Sequence, residues 1–145
     1  MNESNVVNLQ RKTSLDVKVF QSFQAALSSD VVEAAEARFT IAFISDRRMK
    51  ELNKDFRGMD TTTDVLSFRH EPDQFDPDHD NLGDIVISVE QALNQAKENA
   101  LPLETEIKQL ILHGLLHLCG YDHETDDGEM NARELQLREH LRISR

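Results

Sequence analysis

Three of the six histidines in this chain lie between positions 113 and 123 and have the spacing of metal ligands, H-x-x-x-H-x-x-G-x-x-H. On a helix, His113 and His117 lie one turn apart on the same face. Both imidazoles can therefore reach one ion at the usual zinc–nitrogen distance of about 2.0–2.1 Å. Gly120 can end the helix in a left-handed conformation, after which His123 can return to the same ion. Three protein ligands leave a fourth position open, which is typical of catalytic zinc sites.

The residue after the first histidine separates this motif from the one found in a class of zinc peptidases. Those enzymes have a glutamate there, which serves as general base, whereas this chain has Gly114. The sequence thus predicts a metal site and disfavours peptide hydrolysis. Zinc is the expected metal, although neutral imidazole also suits copper, iron and nickel. Asp122 and Glu124 flank the third histidine and are candidates for a substitute ligand, a partner of the ligands or a general base.

A second polar segment, residues 53–68, surrounds Arg57. Arg57 follows a predicted helix and precedes a turn that leads into a predicted strand over residues 63–68. An exposed arginine paired with Asp60 or Asp64 is an ordinary surface feature. The residues alone therefore leave the role of Arg57 open.

The composition limits the broad class of protein. A chain of 145 residues is expected to form a single domain, residues 1–145. The net charge of −11 argues against a broad basic surface for nucleic acid, although it does not exclude a local basic groove. No apolar run resembles a signal peptide or the roughly 20 residues of a membrane span, so we expect a cytoplasmic protein without a membrane partner.

The apolar periodicity predicts alternating strands and helices. The helix that carries the first two histidines is apolar on most sides, so it should be central and buried. Ser45 or Asp46 and then Ser88 are expected to cap helices. The predicted strands are residues 6–11, 38–44, 63–68 and 82–89, and the predicted helices are 16–27, 46–56, 89–99, 102–118 and 125–141.

The segments 53–68 and 113–123 together resemble the YbeY family of bacterial rRNA maturation factors. Arg57 with the run Thr-Asp-Val-Leu-Ser-Phe, and the run His-Gly-Leu-Leu-His-Leu-Cys-Gly-Tyr-Asp-His, carry the resemblance, and Gly83-Asp84-Ile85 is similar too. Thr62 departs from it mildly, because a proline is common there. The resemblance implies an α+β fold with a small mixed sheet of about four strands, flanked by helices, and a zincin-like metal-bearing helix.

The same resemblance implies a zinc-dependent endoribonuclease that acts on single-stranded RNA. It further implies a role in 16S rRNA 3′-end maturation, ribosome assembly and ribosome quality control, with the 16S rRNA precursor and the ribosome or its proteins as partners. By residue match, one Zn²⁺ is held by His113, His117 and His123, and Arg57 is the functional arginine beside it.

Two other functions share the metal site. A metallopeptidase is disfavoured by Gly114. A non-catalytic, zinc-containing ribosome assembly factor is compatible with the motif, and the net charge of −11 suits a basic ribosomal protein as partner.

Overall fold

A computed structural model describes residues 5–71, 75–77, 80–122 and 124–144 of the chain. Within these ranges the chain forms four strands and five α-helices, with a short 3-10 turn at Val32–Ala34. The strands are β1 (Val6–Asn8), β2 (Arg38–Ile44), β3 (Val65–Arg69) and β4 (Asn81–Ser88). The helices are α1 (Val17–Asp30), α2 (Asp46–Arg57), α3 (Val89–Asn99), α4 (Leu103–Leu118) and α5 (Glu129–His140).

The strands form one mixed sheet in the order β1-β2-β4-β3. β1 pairs with β2, and β2 with β4, in parallel. β3 pairs with β4 in the antiparallel direction, as expected for the two strands that flank residues 70–80. The α+β class and the four-stranded mixed sheet predicted from the sequence are both confirmed.

The main core lies between one face of the sheet and the helices α1, α3, α4 and α5. In β2, alternate residues point to opposite faces, and Phe39, Ile41 and Phe43 face this core. Ile111 and Leu115 of α4 are completely buried against it. The predicted central, buried position of this helix is confirmed.

The opposite face of the sheet is covered by α2. A smaller cluster there joins Met49 of α2 to Ile44, Leu66 and Val86 of the strands. Sequence-encoded caps fix the helices that flank the sheet, because Ser45 Oγ accepts from the Arg48 backbone N–H at 3.2 Å and Ser88 Oγ accepts from that of Gln91 at 3.3 Å.

Helix α5 begins later than the predicted Thr125. The side chain of Asp126 accepts hydrogen bonds from the backbone N–H groups of Gly128, at 2.8 Å, and Met130, at 3.0 Å. Gly128 has a φ of 104°, which lies outside the helical region. The chain therefore turns before the first helical residue, Glu129. A bilayer-crossing helix is absent from the described ranges, where the helices are too short or too polar for that role.

Candidate functional site

His113 and His117 meet on one face of α4, as their spacing predicts. Their ring centroids are 4.8 Å apart and the rings are nearly perpendicular, at 77°. The two Nε2 atoms are 3.2 Å apart. Both side chains are half-buried at the margin of the core, so they are held by packing and remain accessible from the surface.

The second nitrogen of each imidazole is fixed by a partner that accepts a hydrogen bond. His113 Nδ1 is 2.6 Å from Glu134 Oε1, and His117 Nδ1 is 3.1 Å from the Tyr121 carbonyl oxygen. A carbonyl only accepts, so His117 carries its proton on Nδ1. Because an ionised carboxylate also only accepts, His113 likewise carries its proton on Nδ1. Each Nε2 therefore presents its lone pair toward the other ring, which is the arrangement of metal-binding histidines.

Glu134 is held in turn by Arg138, one turn further along α5, whose Nη2 donates to Glu134 Oε2 at 2.5 Å. Burial works to raise the pKa of Glu134, but the hydrogen bonds and charges of His113 and Arg138 outweigh it and hold this pKa below its usual value. Glu134 is thus an ionised carboxylate behind the histidine, an arrangement that fixes ring orientation and raises ligand basicity in metal sites.

The histidine pair fits a metal ion by this geometry. Two nitrogens that each lie about 2.0–2.1 Å from a tetrahedral ion are separated by roughly 3.3 Å, and the observed separation of the Nε2 atoms is 3.2 Å. Across the described residues, no group of three or more His, Cys, Asp and Glu side chains forms a metal cluster. His123, the predicted third ligand, lies outside the described residues, so its role stays a prediction.

Gly114 has a packing role that the sequence did not reveal. A Cβ atom placed on it would lie 2.7 Å from Ile85 Cγ2 and 3.1 Å from Ser67 Oγ. Ser67 Oγ also donates to the Gly114 carbonyl oxygen at 3.1 Å. The glycine thus lets α4 approach β3 and β4 closely, and it leaves no space for the glutamate of the peptidase motif.

The turn after α4 is anchored by a residue that is distant in the sequence, Glu33. Gly120 has a φ of 102°, as predicted, and the Tyr121 hydroxyl donates to Glu33 Oε2 at 2.8 Å. Arg133 of α5 pairs with the same carboxylate through two hydrogen bonds of 2.7 and 2.8 Å. Tyr121 is therefore fixed at two points: its carbonyl oxygen contacts His117 Nδ1, and its hydroxyl group binds Glu33.

Arg57 lines the same cleft as the histidine pair. This cleft, of about 780 Å³, is bordered by β3, by the end of α4 and by residues 120–122, 124 and 125, and its lining includes Arg57, His113 and His117. Arg57 is exposed at the end of α2, and Gly58 follows in the left-handed conformation with a φ of 69°. Ion pairs of Arg57 with Asp60 or Asp64, considered from the sequence, are absent from the described part of the chain.

The loop between Arg57 and β3 is fixed by buried polar contacts. Asn53, 1% exposed, donates to the Thr61 carbonyl oxygen at 2.8 Å. Asp64 accepts from the Val65 backbone at 2.7 Å and from Gln95 of α3 at 3.1 Å. Asp64 is therefore committed to the loop and to α3, and Arg57 remains available to a ligand in the cleft.

Comparison with known proteins decides the family. The sequence profile described as Endoribonuclease YbeY matches residues 2–142. The chain belongs to this family. Endoribonuclease YbeY of Campylobacter fetus is 42% identical over 120 residues, which cover 83% of this chain and 87% of the relative. Endoribonuclease YbeY of a Nitratiruptor species is 43% identical over 122 residues, which cover 84% of this chain and 77% of the relative.

A solved structure has a similar fold. The solution structure of a Thermotoga maritima protein superposes with a TM-score of 0.62 at 26% identity, covering 95% of this chain and 91% of the other. The resemblance to the YbeY family drawn from the sequence is thus confirmed, and so is the fold class that it implied.

Two further residues belong to this candidate site, and neither was predicted from the sequence. Glu134 lies 21 positions from its partner His113, and nothing in the local sequence of α5 marks it as a histidine partner. Arg69 also lines the cleft. Alternation along β3 could have placed it there, but the predicted strand ended at Phe68.

Surface or packing roles account for His70, His140 and Cys119. His70 Nε2 is 3.0 Å from Asp76 Oδ2, and His140 is exposed; His79 lies outside the described residues. Burial raises the pKa of the Cys119 thiol to about 11. The thiol is therefore protonated at neutral pH.

Proposed function

We propose that this chain is a metal-dependent endoribonuclease that cleaves single-stranded RNA in the cleft beside α4. The observation that carries the proposal is the meeting of two preoriented imidazole Nε2 atoms, 3.2 Å apart, with Arg57 in one cleft. Membership in the YbeY family supports it, because the matched family and the relatives bear the name endoribonuclease.

In this proposal, His113, His117 and His123 hold one zinc ion. A bound zinc ion supplies Lewis-acid chemistry to a phosphodiester and lowers the pKa of water. His113 and His117 bind through Nε2, since their Nδ1 atoms are engaged by Glu134 and Tyr121. These partners fix the rings in advance, so binding requires little reorganisation.

Arg57 contributes the phosphate contact. Its guanidinium is a planar donor that suits two phosphate oxygens at once, and it remains charged at any physiological pH. We infer that it orients the scissile phosphodiester and stabilises the charge that develops there during cleavage. The left-handed Gly58 ends α2 directly after this residue, and the exposed arginine lines the cleft.

The biological setting follows from the family resemblance. We propose the 16S rRNA precursor as substrate, with cleavage contributing to 3′-end maturation and ribosome quality control in the cytoplasm. The ribosome or its proteins would then be the macromolecular partners. The structure adds to the sequence argument against a peptidase activity, because Ile85 and Ser67 occupy the space that a side chain at position 114 would need.

The proposal is tested by replacing a ligand. His117→Ala protein should contain less than one zinc per chain and should lose cleavage of a labelled single-stranded oligoribonucleotide. His140→Ala, which removes an exposed imidazole, is the matched control and should retain both. Cleavage that persists in His117→Ala protein after rigorous removal of metal would contradict the proposed chemistry.

A further inference from the structure

Arg69, the last residue of β3, lies on the face of the sheet that packs against α4. Side chains alternate along a strand, and Ser67, two residues earlier, donates to the Gly114 carbonyl of α4. The alternate residues Leu66 and Phe68 belong to the cluster on the opposite face of the sheet, beneath α2. Arg69 Nη2 lies 3.7 Å from the point that a Cβ on Gly120 would occupy, which places the guanidinium beside the turn that follows His117.

The guanidinium of Arg69 is not committed to a carboxylate. Arg69 is exposed, and over the described ranges it forms no ion pair. The arginines of α5 differ, because Arg133 pairs with Glu33 at 2.7 Å and Arg138 with Glu134 at 2.5 Å. In a chain with a net charge of −11, an arginine that lines a polar cleft without a carboxylate partner remains available to an anionic ligand.

The cleft is long enough for more than one nucleotide. Within β3, its lining includes Val65, Leu66, Ser67 and Arg69. The rise of about 3.3 Å per residue places the ends of this strand roughly 13 Å apart. Successive phosphates of a stacked nucleic-acid strand rise by about 3.4 Å along the axis and lie further apart along the backbone itself. At least two phosphates can therefore lie along this edge strand.

Carboxylates in the same cleft limit where a phosphate can bind. The acidic side chains in its lining are Asp64, Asp122 and Glu124. Asp64 is engaged by Gln95, and Asp122 Oδ1 accepts from the Glu124 backbone at 3.0 Å. The positive side chains in the lining are Arg57 and Arg69, which enter from the ends of two different elements, α2 and β3. They mark two points at which an RNA backbone is attracted.

We propose that Arg69 forms a second phosphate subsite, which binds a phosphodiester of the RNA other than the scissile one. This inference rests on the proposed function and deepens it, because it explains how the cleft holds a strand. A backbone contact of this kind positions the substrate without selecting a base, so Arg69 should contribute to the affinity for every sequence.

The test compares substrates that do and do not reach the subsite. Metal-loaded, full-length wild type, Arg69→Ala and Arg69→Lys are assayed on a labelled single-stranded decaribonucleotide and on a dinucleoside monophosphate, whose only phosphate is the scissile one. At low salt, Arg69→Ala should raise KM for the decamer by roughly five-fold and leave kcat within about two-fold. The effect should shrink as salt rises. Arg69→Lys should keep most of the affinity, and the dinucleoside should not distinguish the three proteins.

Arg11→Ala is the matched control. Arg11 is an exposed arginine that is not in the lining of the cleft, so its loss changes the net charge equally and should leave KM unchanged. The inference is overturned if Arg69→Ala keeps the wild-type KM on the decamer, if Arg11→Ala raises KM as much, or if the dinucleoside is affected equally. A wild type that cleaves neither substrate would overturn the proposed function and this inference with it.

Discussion

At the scale of single residues, the site depends on which nitrogen each imidazole presents. Glu134 and the Tyr121 carbonyl accept from the two Nδ1 atoms, and this leaves both Nε2 atoms for one ion. The two orienting groups come from different parts of the chain, α5 and the turn after α4. Loss of either group should weaken metal binding without removing a ligand.

We predict that Glu134→Ala lowers zinc affinity by about 10–100-fold, the usual effect of removing a carboxylate behind a ligating histidine. Glu134→Gln should lose less, because its amide oxygen can still accept from His113. Competition with a chromophoric chelator measures both values. The control is Glu139→Ala, an exposed glutamate of the same helix. An unchanged affinity in Glu134→Ala would show that α5 does not support the site.

At the scale of secondary-structure elements, the position of α4 against the sheet determines where the histidines lie. The helix approaches β3 and β4 at Gly114, where a side chain would meet Ile85 and Ser67. The Ser67 hydrogen bond to the Gly114 carbonyl fixes the same contact. A shift of α4 would therefore move the neighbouring His113 relative to the cleft.

We predict that Gly114→Ala destabilises the fold. Overpacking costs about 1–3 kcal/mol, and the 2.7 Å approach to Ile85 Cγ2 should place this cost above the roughly 1 kcal/mol that alanine gains in helix propensity. Ile85→Ala alone leaves a cavity and should cost about 2–5 kcal/mol. Urea unfolding of wild type, both single variants and the double variant gives the four unfolding free energies of a double-mutant cycle. The double variant should be more stable than the sum of the single effects predicts; strict additivity would show that Gly114 and Ile85 do not clash.

The sequence predicted the elements whose signals are local. Ser45 and Ser88 cap their helices as expected. The apolar residues on most sides of α4 correctly predicted that this helix is buried. The histidine pair followed from helical spacing alone. Glu134 could not be predicted in this way, since its approach to His113 depends on how Met130 and Leu137 pack α5 onto the core. The packing role of Gly114 also required the neighbouring strand.

At the scale of the whole molecule, one ion pair connects distant parts of the chain to the site. Glu33, in the 3-10 turn after α1, accepts from Arg133 of α5 and from the Tyr121 hydroxyl. The hydrogen bond from Arg133, assisted by that from Tyr121, lowers the pKa of Glu33 from 4.5 to about 2. The folded state therefore favours the ionised carboxylate more than the unfolded chain does.

This shift predicts a pH-dependent contribution to stability. A lowered pKa stabilises the fold fully above about 4.5, and the contribution is lost as the pH falls toward 2. Glu33→Gln should thus melt below wild type at pH 7, by a few degrees, since a solvent-accessible pair contributes up to about 1 kcal/mol. When thermal unfolding is measured from pH 7 down to pH 3, the difference in melting temperature between the two proteins should become smaller. Glu36→Gln, at an exposed neighbouring position, is the control, and a gap that stays constant with pH would contradict the assignment.

We propose that a metal held by the histidines and Arg57 act together on RNA, and Arg57→Ala separates their contributions. Cleavage of a single-stranded oligoribonucleotide is measured alongside zinc content and melting temperature, with Arg47→Ala on the exposed side of the same helix as control. Joint action of the metal and the arginine predicts that Arg57→Ala retains one zinc and the wild-type melting temperature but loses about 10²–10³-fold in cleavage rate, while Arg47→Ala cleaves normally. Wild-type cleavage by Arg57→Ala would contradict it, and a highly purified wild type that binds zinc yet cuts no RNA would instead favour a non-catalytic assembly factor.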